Sequence, residues 1–136
     1  AAAIAAYHGV PPAYLAKHMQ ALARAGIVTS ARGAAGGYRL ARPPQDITLM
    51  EIADAVDGSE PAFRCTEIRQ RGPCAAKPED CTKTCGIAAA FWAAERAYRR
   101  QLEGVSLASI VAALAGRHDA GKFARVKAWL AQNANG

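Results

Sequence analysis

A mainly α-helical fold carrying one small β-hairpin is predicted for this sequence, and three observations predict it. Two helical stretches separated by His8-Gly9-Val10 open the chain. Two short β-favouring runs, Ile27–Ser30 and Tyr38–Arg42, follow with a glycine-rich tip between them. A long helical period then runs from Cys85 to Gly104. A chain of 136 residues suits one domain with a core of its own.

The first helix, Ala1–Tyr7, stops at His8-Gly9-Val10. Pro11-Pro12 opens the second, because proline lacks only a donor that a first turn leaves unused. It continues to about Ala25, where Gly26 supplies a stop. Helix, short glycine-containing turn and second helix make a helix-turn-helix signature. At about 100° per residue, Leu15, Met19 and Leu22 share one stripe of the second helix. Ala13, Lys17, Gln20 and Arg24 point the other way, with Tyr14 and His18 flanking the stripe. Small, basic and amide side chains on one face let a helix enter a DNA major groove without steric block. The same pattern by itself also describes an ordinary surface helix, so the next segment decides. A hairpin directly after a helix-turn-helix is a wing, which makes the predicted fold a winged helix-turn-helix. Arg32 at the tip and Arg39 on the second strand are placed to meet phosphate or a narrow minor groove. The tip Ala31–Gly37 is not a P-loop, since it lacks the Lys-Ser/Thr pair and leads into no helix.

Pro43-Pro44 ends the hairpin, and Thr48-Leu49-Met50-Glu51 is a capping box that starts a helix through about Val56, closed by Gly58. An irregular loop, residues 59–84, carries three of the four cysteines. The long helix after it presents Ile87, Phe91, Ala94, Tyr98 and Leu102 on one stripe, with Glu95–Arg99 and Arg99–Glu103 at i,i+4 spacing opposite. Such a stripe behind a small DNA-reading unit fits a dimerisation helix; packing against its own domain is the alternative. Ser106 caps a short helix through Leu114, and Ala120–Gln132 has the pattern of an amphipathic helix with Phe123, Val126, Trp129 and Leu130. The expected organisation is a winged helix-turn-helix over 1–58, a cysteine-rich sensor loop over 59–84, a dimerisation helix and short helix over 85–115, and a C-terminal amphipathic segment over 116–136.

Net charge is +6, and its placement matters more than its size. Residues 1–44 hold Lys17, Arg24, Arg32, Arg39 and Arg42 and no Asp or Glu. An apolar-rich segment with cations alone is a folded basic surface, which suits a polyanion; a merely solvated basic face is the plainer reading. No signal peptide and no bilayer-long apolar run is visible, so the expectation is a cytoplasmic protein without membrane contact. The chain starts without Met inside an amphipathic pattern, as a truncated chain would.

Cys65, Cys74, Cys81 and Cys85 are the whole cysteine set, spaced Cys-x8-Cys-x6-Cys-x3-Cys. In a reducing compartment such clustering favours metal binding or thiol redox chemistry over structural disulfides. A structural zinc site would show Cys-x2-Cys knuckles, and none is present. Soft thiolates suit an iron–sulfur cluster. Cys81 and Cys85, four residues apart where the long helix begins, are placed to converge and to have their thiolates favoured by the helix terminus. They rank first as ligands, then Cys65, then Cys74. A regulatory disulfide pair is the competing reading. An enzyme using a cysteine with His8 or His18 lacks an orienting carboxylate beside either histidine, so no catalytic residue and no small-molecule substrate is expected.

At this point the residues resemble a known family. Tyr14-Leu15-Ala16-Lys17 through Leu22-Ala23-Arg24-Ala25-Gly26-Ile27-Val28, Ser30, Arg32-Gly33 and Gly36-Gly37-Tyr38-Arg39-Leu40 are similar to the recognition helix and wing of the IscR/NsrR-type iron–sulfur transcriptional regulators. Ile47-Thr48-Leu49, Ala55-Val56-Asp57-Gly58, Cys85-Gly86-Ile87 and Ser106–Ile110 continue the likeness, which covers about residues 1–115. The stretch Cys65–Pro73, with Cys81-Thr82-Lys83 and Cys85, looks most like the actinobacterial redox-sensing subgroup typified by RsrR. The resemblance implies a homodimer on pseudo-palindromic, double-stranded promoter DNA, acting as a repressor. It also implies a [2Fe-2S] cluster whose state controls DNA affinity. This sequence departs from the common family pattern of three cysteines at shorter, near-regular spacing. Family members carry one more N-terminal helix, which in the redox-sensing subgroup brings Glu and His ligands from the partner subunit; this sequence does not contain it.

Overall fold

The computed structural model describes residues 1–31, 37–116 and 120–133. Helix α1 spans Ala2–His8 and helix α2 Pro12–Arg24. Gly9 between them sits at φ +65°, a left-handed conformation that glycine adopts without steric cost, and its N–H closes the last turn of α1. Gly26, at φ +68°, turns the chain the same way after α2. The helix-turn-helix is thus built on two left-handed glycines, both of which the sequence marks as stops.

Strands β1 (Val28–Ala31) and β2 (Gly37–Leu40) pair antiparallel, with Val28 opposite Leu40 and Thr29 opposite Arg39. Each is displaced from the sequence expectation, which started the first strand at Ile27 and ended the second at Arg42. One more cross-strand bond, from the Ala41 N–H to the Ile27 carbonyl at 2.9 Å, extends the pairing beyond these bounds, and at Arg42 the chain leaves it, the guanidinium reaching the Asp46 carbonyl at 2.9 Å and the Glu51 carboxylate at 2.7 Å. Helix α3 is Leu49–Asp57, followed by helices α4 (Gly86–Glu103), α5 (Leu107–Ala115) and α6 (Ala120–Gln132). The cysteine loop is less irregular than expected, because two 3-10 turns, Ile68–Gln70 and Pro78–Cys81, organise it.

The core forms where α2, the hairpin and α3 meet. Ile27, Val28 and Ile47 are buried, with Met19, Leu22, Tyr38, Ile52 and Leu107 packed around them. Backbone bonds from Leu49 N–H to Val105 C=O and from Leu107 N–H to Ile47 C=O lay the entry of α5 beside the entry of α3, sealing Ile47 completely. Thr48 caps α3 as the sequence predicts: its hydroxyl accepts from the Glu51 N–H at 3.1 Å while the Glu51 carboxylate accepts from the Thr48 N–H at 2.9 Å. Thr48→Ala is expected to cost about 1 kcal/mol in chemical denaturation. The Thr48 N–H and then the Arg42 guanidinium hold the Glu51 carboxyl below its ordinary value. A lowered carboxylate pKa stabilises the fold above the unfolded value and loses that contribution as pH falls through the folded one. The wild-type protein should therefore lose more stability than Glu51→Gln, which has no carboxyl to protonate, on acidification from neutral pH into that range, followed by urea midpoints at each pH.

Helix α4 turns its charged face, and not its apolar stripe, toward its own domain. The face turned toward α3 carries Ala88, Glu95, Arg99 and Leu102, and Arg99 makes a two-pronged pair with Asp54 at 3.0 and 2.6 Å. Glu95 and Arg99 are therefore not a solvent-facing i,i+4 pair, although both Glu95 and Glu103 add to the field that raises the Arg99 pKa. The apolar stripe lies outside: Ile87 is 61% exposed, Phe91 54% and Tyr98 53%. Only Leu102 of that stripe is drawn partly inward, together with the end of the helix.

Candidate nucleic-acid interface and cysteine site

The outer face of α2 holds the residues singled out from its periodicity. Ala13, Tyr14, Lys17, Gln20 and Arg24 are all exposed, while Leu15, Met19 and Leu22 are half-buried against the core. Tyr14 stands 58% exposed, with its ring edge-on to His18 at 4.3 Å. The His18 Nε2 is buried and, among the described residues, without a hydrogen-bond partner, so this ring serves as a packed brace for Tyr14. Arg39 is exposed on β2, across from Thr29. Among the described residues, no ion pair engages Lys17, Arg24 or Arg39, whereas Arg42 is tied to Glu51. The acid-free segment thus divides into free outward cations and one structural arginine, a division that composition alone does not reveal. Arg32 and its glycine neighbours at the hairpin tip lie outside the described residues.

Three of the four cysteines share one cavity. Cys65, Cys81 and Cys85 line a space of about 240 Å³ together with Glu67, Arg69 and Trp92. Cys65 and Cys85 also border an adjoining apolar cavity of about 250 Å³ with Phe63, Ile68 and Ile87. Cys74 is exposed and borders neither. Cys81 ends a 3-10 turn and Cys85 is the N-cap residue of α4, so the two do not approach as helical i,i+4 neighbours; the fold of the loop brings them to one cavity instead. The N–H groups of Ala88 and then Ile87, at the open start of α4, lower the Cys85 thiol pKa, and the Arg69 charge lowers it further. All four thiols are free. Among the described residues, no three His, Cys, Asp or Glu side chains stand close enough in this conformation to enclose a metal ion. The donor chemistry nevertheless suits a soft-metal centre: three thiols, one of them acidified, face a common space beside a fixed cation.

Sequence reasoning did not find Glu67 and Arg69. Arg69 donates to both carboxylate oxygens of Glu67, at 2.5 and 2.7 Å, and to the Lys83 carbonyl at 3.0 Å. A cation two residues from a carboxylate inside a cysteine-bearing loop was the available signal. Phe63 and Phe91 stack at 4.6 Å between centroids, which seats the loop on the outward face of α4.

The profile of the Rrf2 family, described as an iron-dependent transcriptional regulator, matches residues 1–113. The chain belongs to the Rrf2 family. A Rhizobium meliloti relative, Protein aau3, is 35% identical over 112 residues, which is 81% of this chain and 68% of that protein. An rrf2-like HTH-type transcriptional regulator of Rhodobacter capsulatus is 30% identical over 112 residues, 81% of this chain and 72% of that protein. Among solved structures, T. potens IscR matches with a TM-score of 0.60 at 24% identity, over 86% of this chain and 71% of that one. That likeness establishes the winged-helix fold. This Rrf2 chain is a transcriptional regulator, as its relatives are, rather than an enzyme. Helix α6 lies beyond the matched residues. Among the described residues, no helix is long and apolar enough to cross a membrane.

Proposed function

We propose that this Rrf2 regulator is a cytoplasmic repressor that reads double-stranded promoter DNA as a homodimer, under the control of an iron–sulfur cluster of [2Fe-2S] type. The observation that carries the reading is the pairing, on one chain, of an acid-free outward face on α2 with a cavity lined by three thiols. Ala13, Tyr14, Lys17, Gln20 and Arg24 would meet the major groove, and Arg32 and Arg39 the flanking backbone. Cys81, Cys85 and Cys65 would hold the cluster, with Cys74 a fourth candidate outside the cavity. When bound, the cluster supplies a redox centre whose charge changes with its oxidation state. The chain's own contribution is to hold soft donors at the start of α4 and to seat their loop, through Phe63, on the helix that would join two subunits. The division into a reading head (1–58), a sensor loop (59–84), a dimerisation arm (85–115) and a C-terminal segment (116–136) follows from that reading. The stretch Cys65–Pro73, with Cys81-Thr82-Lys83 and Cys85, supports placement with the RsrR-like redox sensors.

A second reading replaces the cluster by a thiol–disulfide switch. It is favoured by the exposure of Cys65 and Cys74 and by the lowered pKa of Cys85, which favours the thiolate, the form that attacks an oxidised sulfur. Anaerobic purification of the full-length protein separates the two. Stoichiometric iron and acid-labile sulfide with sulfur-to-iron charge-transfer absorption are expected for the cluster. A colourless protein whose DNA affinity follows its thiol titre would instead select the switch. DNA binding that is absent in every state would reject both.

A further inference from the structure

We propose that Arg69 is the positioning residue of the cysteine site, pinning its two arms together and keeping a fixed positive charge beside whatever the thiols hold. This rests on the cluster reading above for one of its consequences and on geometry alone for the other.

The two arms are the Cys65-bearing stretch that leads into the Ile68–Gln70 turn and the Cys81–Cys85 stretch that leads into α4. Arg69 joins them through one bond and is held in place for it by two others. Its side chain donates to the Lys83 carbonyl at 3.0 Å, between Cys81 and Cys85. Its backbone carbonyl accepts from the Ala76 N–H at 2.8 Å, which folds the intervening segment back onto the first arm. Its guanidinium is itself fixed by the two-pronged pair with Glu67. Glu67 pays into this arrangement with its backbone: at φ +49° it is, among the described residues, the non-glycine residue with positive φ. A side-chain-bearing residue keeps that conformation only where its surroundings hold it, and such residues gather at functional sites. The neighbouring groups are consistent with a fixed charge. Arg69 feels the fields of Cys81 and Cys85, and its pKa is raised, first by the Glu67 hydrogen bond.

Two roles follow, and they separate by substitution. The fork geometry spans Glu67 and Lys83 at once, which a lysine ammonium does not reproduce; the positive charge, by contrast, survives in lysine. Arg69→Gln removes both, and Arg69→Lys removes the fork alone. Outer-shell partners of metal ligands typically change retention by about 10- to 100-fold. Iron release to EDTA from the anaerobically reconstituted full-length protein is therefore expected to accelerate about 10- to 100-fold in both variants. The midpoint potential should fall in Arg69→Gln, because loss of the cation leaves the Glu67 carboxylate unpaired in the same cavity and disfavours the added electron, and should stay near wild type in Arg69→Lys.

In the metal-free protein, phenylarsine oxide captures paired thiols only when they can be brought together. Both variants should bind it more weakly than wild type, reported by intact mass. Equal arsenical capture in all three proteins overturns the strut. Equal potentials in wild type and Arg69→Gln overturn the charge role, and a matching fall in the thermal midpoint of both variants would assign Arg69 to general folding instead. Should the wild type take up no cluster, the cluster reading fails, and the arsenical comparison alone decides whether Arg69 joins the arms.

Discussion

Raising salt from 50 to 200 mM is expected to weaken binding of the full-length protein to its operator by about 10³- to 10⁵-fold, the range for a protein that neutralises six to ten phosphates. The expectation follows from where the cations stand. Lys17, Arg24 and Arg39 are exposed on the helix-turn-helix and hairpin, and no carboxylate precedes Asp46 to compete for them. Each phosphate contact releases condensed counterions, so the slope of log affinity against log salt counts contacts. Lys17→Ala or Arg24→Ala should lower that slope by about one per contact removed and weaken all duplexes alike. Arg42→Ala should leave the slope unchanged and lower stability, because its guanidinium is spent on Glu51 and the Asp46 carbonyl. Anisotropy titrations across a salt series measure both quantities. A slope unaffected by Lys17→Ala and Arg24→Ala would remove α2 from the interface.

Phe91→Glu combined with Ile87→Glu is expected to convert the protein to monomers and to reduce operator affinity by about 10²- to 10⁴-fold, the gain that a tethered second reading head supplies. Both side chains project from α4 into solvent within one chain, and Tyr98 extends the same stripe. An apolar stripe of this kind marks an interaction surface when it is larger than the scattered exposure normal for a monomer. The side of α4 that holds to its own domain is instead anchored by the Asp54–Arg99 pair. The double substitution leaves that anchor in place but removes the stack of Phe91 on Phe63, so Phe63→Ala, which loses the stack alone, is the control expected to keep its assembly. Sedimentation velocity reads the assembly, and circular dichroism checks that the subunit stays folded. A dimer that persists in the double variant would place the interface elsewhere.

Much of the fold was legible because local chemistry and tertiary role agree. The glycines at 9 and 26, Pro12 at the first turn of α2, and the Thr48–Glu51 capping box each specify backbone geometry within a few residues, and each stands where the pattern put it. The outward face of α2 was legible for the same reason: an apolar stripe against a core fixes its opposite face. Helix α4 shows the limit. Its period defines two faces, one apolar and one with charges at i,i+4 spacing, but not which one the same chain covers. Arg99 pairs instead with Asp54, 45 residues earlier, a partner no local window contains. The cysteine site divides similarly. Thiol type and clustering pointed to all four cysteines with Cys74 last, and the cavity takes in Cys65, Cys81 and Cys85. Their convergence depends on two 3-10 turns, the left-handed Glu67 and the Arg69 fork, none of which has a periodic signature.

In the proposed function the thiol-lined site and the basic face belong to one device, so that the state of the first sets the hold of the second on DNA. The most direct measurement is the affinity of one anaerobic preparation for the same promoter duplex, at fixed salt, before and after removal of its iron and sulfide. A change of about tenfold or more, equivalent to about 1.4 kcal/mol of coupling, is predicted. Equal affinity in the two states, with the wild-type salt slope retained in both, would contradict it.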